Sequence, residues 1–93
     1  MAALSIQERK RLRQIGHALS PVVMLGGQGL SENVIEEINR ALNDHELIKV
    51  KVAGEDREAR QAIITDISAK TEAEIVQTIG KIVLLYKKAA KQN

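Results

Sequence analysis

The chain has 93 residues, of which 44% are hydrophobic and 28% charged, a size and composition that suit one domain with one hydrophobic core. It contains no cysteine, which excludes disulfides, thiolate zinc sites and a cysteine nucleophile, and its two histidines lie far apart without a nearby acidic cluster, a poor basis for a metal site. Tyr86 is the single aromatic residue, which argues against nucleic-acid-binding modules that stack bases on aromatic side chains.

The formal net charge of +2 is unevenly distributed along the chain. Residues 1–30 carry a charge of +3, residues 31–80 carry −5 and residues 81–93 carry +4. If the two basic ends meet in space, the protein has one electropositive face and an acidic back, as polyanion-binding proteins do. Ordinary solvated charged faces are the alternative interpretation.

No segment approaches the roughly 20 apolar residues that a membrane-spanning helix requires. At the N-terminus the basic residues follow a short apolar patch, which is the reverse of the order in a signal peptide. We therefore expect a cytoplasmic protein with no membrane contact. We also expect it to be a monomer. The whole chain, 1–93, forms the predicted domain, with 88–93 as a disordered tail.

The first predicted helix begins near Ile6, because Ser5 and Glu8 match the capping box S-x-x-E. Its apolar residues recur at helical spacing on one side: Leu12, Ile15 and Leu19. Polar and basic residues cover much of the remaining surface: Arg9, Lys10, Arg13 and His17. Pro21 cannot continue a helix and disfavours helical geometry at the residue before it, so the helix ends by about Leu19.

A glycine-rich turn follows the first predicted strand. Val22 to Leu25 form an apolar run without a polar break, which suggests a strand that is central in a sheet or covered on both faces. Ser31 is the predicted N-cap of the helix that follows the glycines. The amides of a first helical turn and the positive end of the helix dipole favour an anion, so this turn is a candidate phosphate contact.

The remainder of the chain continues to alternate helices and strands. The second helix has an apolar stripe made of Val34, Ile35, Ile38, Ala41 and Leu42, and the third has one made of Ala59, Ala62, Ile63 and Ile67. Leu47 to Val52 alternates as a strand with one buried face, on whose polar side Lys49 and Lys51 are either solvated or within reach of RNA. Ile75 to Ile79 and Ile82 to Tyr86 form a hairpin joined at Gly80 and Lys81. The predicted fold is α/β, in the order α-β-α-β-α-β-β, with a four-stranded mixed sheet packed by helices.

Three chemistries use glycine loops at such a position. The mononucleotide motif G-x-x-x-x-G-K-[ST] fails because no lysine precedes Ser31, and the dinucleotide motif G-x-G-x-x-G is only half present. The spacing G-x-x-G of Gly26 and Gly29 remains, and it is the spacing with which KH domains contact nucleic-acid backbone. A purely structural turn is the alternative.

The chain resembles a known family over most of its length, from about Ser5 to Lys87. The resemblance lies in GHALSPVVMLGGQGLSENVIEEINRALNDHELIKVKV, followed by EDRE and the closing IGKIVLLYK. These segments are similar to the CRM domain (chloroplast RNA splicing and ribosome maturation) in its free-standing bacterial, YhbY-like form. The resemblance implies a fold similar to that of the C-terminal domain of translation initiation factor three, RNA binding, and association with precursors of the large ribosomal subunit.

The family's binding residues fall on two segments of this chain. The loop corresponds to Gly26, Gly27, Gln28 and Gly29, and the basic first helix to Arg9, Lys10, Arg11 and Arg13. Many relatives carry a lysine in the loop where this chain has uncharged residues, so the loop is expected to bind through amide donors and Gln28. Lys81 and Lys87 add the positive charge of the C-terminal strand.

We therefore predict an RNA-binding protein that assists assembly of the large ribosomal subunit by backbone and shape recognition of ribosomal RNA. It needs no cofactor and binds no small-molecule substrate. A protein-interaction module is the alternative, in which the acidic residues Glu32, Glu36 and Glu37 bind a basic ribosomal protein. An enzyme is disfavoured, because no nucleophile, base and orienting group can be named together.

Overall fold

Three helices and four strands alternate along the computed structural model, which describes residues 4–26, 30–54 and 56–88. The helices are α1 (Ile6–Gly16), α2 (Glu32–His45) and α3 (Arg57–Thr71), and the strands are β1 (Pro21–Leu25), β2 (Leu47–Val52), β3 (Glu74–Ile79) and β4 (Ile82–Tyr86). The order α-β-α-β-α-β-β confirms the sequence prediction. The predicted helix caps are also confirmed. Ser5 and Glu8 form the capping box of α1, and the Ser31 side chain caps α2.

The four strands form one mixed sheet in the order β1-β2-β4-β3. β1 pairs with β2 in parallel, and β4 lies between β2 and β3, antiparallel to both. The last strand of the chain therefore occupies a central position. On β3 an irregularity between Ile75 and Gln77 places Val76 and Gln77 opposite one residue of β4, Leu84, as in a β-bulge.

The main hydrophobic core fills the space between one face of the sheet and helices α2 and α3. Every strand contributes inward-facing residues to it, and α2 contributes Ile38 and Leu42 while α3 contributes Ile64 and Ile67. All of these helical residues are almost fully buried, so this face of the sheet is closed to solvent. Alternation along β2 then directs Lys49 and Lys51 to the other face.

Helix α1 covers part of that other face and forms a second, smaller core with it. Leu12 of α1 packs there with Leu47, Val76 and Leu84, one residue from each of three strands. Gly16 belongs to the same contact, because an ideal Cβ built on it would lie 2.7 Å from Cδ2 of Leu84. A glycine at this position lets the end of α1 lie close to β4.

Three details of the sequence prediction are wrong. β1 is an edge strand, and only the α2 side of it is covered, because Val23 and Leu25 are buried while Val22 and Met24 are exposed. Ile15 is also exposed, at 46%, because α1 presents only a narrow stripe to the sheet. In α3, Ala59 and Ala62 are exposed, and the buried stripe instead contains Ile64, Ile67 and Thr71.

Candidate nucleic-acid interface

The sheet face that carries α1 is only partly covered, and its open part combines apolar and basic side chains. Met24 on β1 is 71% exposed, and its strand neighbour Val22 is also exposed. Lys51 pairs with Met24 across the parallel ladder and is exposed beside it. Ile79, near the end of β3, is 61% exposed. These residues form a surface that α1 does not reach.

The glycine loop and the β3–β4 hairpin lie at the same end of the sheet. Two consecutive backbone amides at the end of β2 form hydrogen bonds with both segments. Val52 N–H donates to the Lys81 carbonyl in the hairpin at 2.7 Å, and Ala53 N–H donates to the carbonyl of Leu25, just before the loop, at 3.0 Å. Gly26, the first residue of the loop, follows Leu25 directly. The backbone at Leu25, just before the loop, and the backbone at Lys81 are therefore separated by about two strand spacings, roughly 10 Å. The structure thus brings together the start of the loop and one lysine that sequence analysis had selected separately.

Three residues of the loop, Gly27, Gln28 and Gly29, lie outside the described residues. Their flanks are described. Gly26 is exposed, and apart from its chain neighbours no heavy atom of the described residues lies within 4 Å of a Cβ built on it. On the other side the Ser31 hydroxyl accepts a hydrogen bond from Val34 N–H at 3.3 Å, which fixes the N-terminus of α2.

The basic residues of α1 divide into exposed and anchored groups. Lys10 and Arg11 are exposed on the outer surface of the helix. Arg13 is half-buried and lies beside the open part of the sheet. Arg9 is instead bound to the far end of β3, where its guanidinium donates to the Ile75 carbonyl at 2.9 Å and lies 3.6 Å from the Glu74 carboxylate.

Lys87 is also bound within the protein. Its ammonium donates to the Thr71 carbonyl at the end of α3, at 2.9 Å, and its backbone N–H donates to the Glu46 carbonyl. Both partners lie at the end of the sheet opposite the glycine loop, because Lys87 follows the last residue of β4, which pairs with Leu47 at the start of β2. Of the predicted RNA contacts, Arg9 and Lys87 are thus set apart from Gly26, Arg13 and Lys81.

Two lysines of β2, Lys49 and Lys51, both lie on the open face of the sheet. Lys51 is exposed, while the Lys49 ammonium donates to the Leu19 carbonyl at 3.1 Å and the Lys49 side chain is half-buried. The period-two alternation of LIKVKV was the signal that both lysines share one face. The sheet order needed to recognise that face as open is not encoded locally.

The two faces of the protein differ in charge. The strands contain a single carboxylate, Glu74, and it lies near the guanidinium of Arg9. Exposed acidic residues are concentrated on α2 and α3, behind the other face of the sheet: Glu32, Glu36, Glu37, Asp44, Glu58 and Asp66. Cations on the same two helices offset part of this negative charge: Arg40, Arg57, Arg60 and Lys70. The helical back nevertheless stays acidic overall, so the basic α1 face is the more favourable one for a polyanion.

A cleft of about 200 Å³ opens on the α1 face, between the C-terminal end of α1 and the sheet. Its lining comes from α1 and the residue after it, from β2, and from the β3–β4 hairpin: Arg13, Gly16, His17, Lys49, Gln77, Ile79, Ile82 and Leu84. The lining contains no carboxylate. The cleft thus joins the basic end of α1 to the exposed apolar residues of the hairpin.

Within the described ranges, no three histidine or acidic side chains are grouped so that they could hold a metal ion. In the same part of the chain, no helix has the length and apolar character needed to cross a membrane.

Comparison with known proteins gives consistent matches over the whole fold. The family model of the CRS1 / YhbY (CRM) domain matches residues 4–87. A Haemophilus influenzae protein named as an RNA-binding protein is 56% identical over 87 residues, covering 94% of this chain and 88% of the relative. A Pseudomonas aeruginosa protein named as a probable RNA-binding protein is 45% identical over 91 residues, covering 98% of this chain and 88% of the relative. The solution structure of a hypothetical protein from Staphylococcus aureus superimposes with a TM-score of 0.83 at 28% identity, covering 98% of this chain and 95% of that one.

Proposed function

The chain belongs to the CRS1 / YhbY (CRM) domain family, and on that premise we propose that it binds RNA through its α1 face. The observation that carries the proposal is the separation of charge across the sheet. Basic side chains from α1 and β2 share one face, with exposed Lys81 in the hairpin turn at its end, whereas the exposed carboxylates of α2 and α3 lie behind the other face. The names of the curated relatives agree with this function.

Two kinds of contact contribute to RNA binding: attraction by exposed cations and hydrogen bonds from the glycine loop. Exposed cations such as Lys10, Lys51 and Lys81 attract the phosphates and release their counterions. The glycine loop, between Gly26 and the start of α2, offers backbone amides to one or two phosphates and fixes their position. Recognition by this route depends on backbone position and shape, so it discriminates weakly among sequences.

We further propose that the RNA is ribosomal and that the protein acts on precursors of the large ribosomal subunit. The support is the resemblance of the chain to the free-standing bacterial members of its family. In this role the protein occupies an RNA folding intermediate and then dissociates, without catalysis or a cofactor, as a monomer in the cytoplasm. A reversible, salt-sensitive contact suits such a role, because its affinity depends on many weak phosphate interactions.

Salt dependence tests the RNA face directly. Binding to a fragment of large-subunit ribosomal RNA is measured from low to moderate salt for the wild type, Lys51→Ala, Lys81→Ala and the double variant. Each lost phosphate contact is expected to lower the magnitude of the salt slope by roughly 0.7 to 0.9. Arg40→Ala is the control, since Arg40 is an exposed cation that lies on α2, behind the sheet. Equal slopes for all variants would place the RNA elsewhere.

Sedimentation of cell extract through a sucrose gradient tests the biological assignment. We expect the protein to travel with large-subunit precursors at low salt and to leave them as salt is raised. Absence from every ribosomal precursor would contradict the assembly role while leaving RNA binding itself intact.

The acidic back supports a second candidate function, a protein-interaction module. Glu32, Glu36 and Glu37 are all exposed on α2 and could bind a basic ribosomal protein. Replacing these three residues with glutamine separates the candidates. The change should leave RNA affinity equal or slightly higher, whereas it should abolish capture of a basic protein partner if that is the function.

A further inference from the structure

The cleft on the α1 face has an apolar floor of restricted size. Ile82 and Leu84 of β4 form this floor, and Ile79 of β3 stands at its edge with 61% of its surface exposed. The volume of about 200 Å³ is smaller than the roughly 300 to 1,000 Å³ of pockets that hold drug-sized ligands. A single planar ring system fits a cleft of this kind better than an extended ligand does.

One polar side chain in the cleft has unused hydrogen-bonding capacity. Gln77 is half-buried on β3, opposite Leu84, and among the described residues its carboxamide makes no hydrogen bond within the protein. A glutamine carboxamide supplies two donors and one acceptor. The exposed edges of nucleobases present the complementary groups when the base is unpaired.

The cleft is also suited to the phosphates on either side of a base. Arg13 and Lys49 line it, and no carboxylate does. The Arg13 guanidinium has no hydrogen-bond or ion-pair partner among the described residues, so its planar surface can stack on a base or contact a phosphate. The Lys49 ammonium uses one donor on the Leu19 carbonyl and keeps others for a ligand.

We propose that this cleft binds the base of one unpaired nucleotide, with Gln77 reading its edge and Arg13 and Lys49 holding the flanking backbone. The inference rests on the proposed RNA binding and adds one base-reading position to a contact that otherwise recognises backbone. An apolar side chain of a protein partner would fill the floor of the cleft but would leave Gln77 and Arg13 unmatched. The combination of groups therefore favours a nucleobase.

Methyl NMR of the full chain tests whether a base enters the cleft. The methyl signals of Ile79, Ile82 and Leu84 are followed during titration with single-stranded oligoadenylate, oligocytidylate and oligouridylate, and with inorganic polyphosphate as a polyanion without bases. A base in the cleft is expected to shift the Ile82 and Leu84 methyl signals strongly with at least one RNA, whereas polyphosphate, which can contact only Arg13 and Lys49 there, should shift them less. Equal shifts with RNA and polyphosphate would overturn the proposal.

Substitution of Gln77 tests the reading of the base. Gln77→Leu keeps the volume but removes both donors and the acceptor, so affinity for the preferred oligonucleotide should fall roughly 3- to 10-fold and the preference among the three should flatten. Thr78→Val is the matched control, because Thr78 follows Gln77 on β3 but lines a different cleft with Arg57 and Arg60 of α3.

The outcomes distinguish this inference from the function on which it rests. RNA that binds with a strong salt slope but leaves the Ile82 and Leu84 methyl signals unmoved overturns the base site and leaves RNA binding standing. An unchanged preference in Gln77→Leu also overturns the base site. Absence of binding to every RNA overturns both.

Discussion

Gly16 of α1 lies against Leu84 of β4 so closely that an ideal Cβ on Gly16 would be 2.7 Å from Cδ2 and 2.9 Å from Cδ1 of Leu84. Leu84 is itself nearly buried, so a side chain on Gly16 requires the leucine to move. Glycine inside a helix is otherwise unfavourable by roughly 0.5 to 1 kcal/mol relative to alanine. The contact with the sheet explains why the end of α1 carries one.

We predict that Gly16→Ala changes the free energy of unfolding little. Alanine has the higher helix propensity, but its Cβ displaces Leu84 from its rotamer at a cost of about 0.5 to 1.5 kcal/mol, and the two effects offset each other. Gly16→Val should destabilise by about 1 to 3 kcal/mol, since a branched side chain overpacks the contact. Urea unfolding measures both changes. In a Leu84→Val background, which removes both Cδ atoms, Gly16→Ala should instead stabilise. No difference between the two backgrounds would mean that Leu84 is not the obstacle.

Arg9 is predicted to contribute more to stability than to RNA binding. Its guanidinium holds the start of β3 through the Ile75 carbonyl and Glu74, so Arg9→Ala should cost about 1 kcal/mol of unfolding free energy. The exposed neighbour Lys10 is the control, and Lys10→Ala should change stability by less than about 0.5 kcal/mol. Titration with RNA should give the reverse order, with the larger loss of affinity in Lys10→Ala. A larger loss in Arg9→Ala would show that Arg9 leaves its protein partners to bind RNA.

Lys87, at the same end of the sheet as the partners of Arg9, can also be tested for a role in stability as distinct from RNA binding. Lys87→Met removes the hydrogen bond from the ammonium to the Thr71 carbonyl and should destabilise the fold by about 1 kcal/mol. Lys88→Met, at the exposed next residue, should leave stability unchanged. We expect neither change to reduce the salt slope of RNA binding as Lys51→Ala does. If Lys87→Met alone reduced the salt slope of RNA binding, Lys87 would have to be counted among the RNA-binding residues.

The end of α3 offers a position where stability can be raised. Glu72 caps α3 with φ of 61° and ψ of 25°, a left-handed conformation that a residue with a Cβ adopts at a cost. Glu72→Gly should relieve that strain. Glycine also gives the unfolded chain more conformational entropy, which opposes folding, so the expected net stabilisation is about 0.5 kcal/mol. Thermal unfolding should show a midpoint higher by roughly 2 to 4 °C. Glu72→Ala keeps the Cβ, so a gain of equal size there would point to the lost charge instead of the backbone.

Local signals in the sequence predicted the elements well. Ser5 with Glu8, and Ser31, act as the helix caps that the sequence predicts, because a cap depends on residues within one turn of it. The alternation of LIKVKV likewise placed Lys49 and Lys51 on one face, since the side-chain period of a strand is fixed.

Predictions that depend on distant parts of the chain were less accurate. PVVML gave no indication that β1 lies at an edge, because an apolar run is compatible with any place in a sheet. The partners of Arg9 are more than 60 positions away in sequence, so its anchoring could not be read from the basic pattern of α1. In α3 the alanines fitted a helical stripe, but alanine is tolerated on any face of a helix, and the larger Ile64 is the residue that is buried.

The place of β4 in the sheet has a consequence for how the domain is made. β4 is the last strand along the chain, yet it lies between β2 and β3 and supplies the hydrogen-bonding partner of each. During synthesis, β1 and β2 can pair early, but β3 has no neighbour until β4 has emerged, and the open edge of β2 remains exposed to other chains. We therefore expect folding to be completed only after β4 has left the ribosome. A nascent chain that is interrupted before Ile82 should be recognised by chaperones or proteases as unfolded.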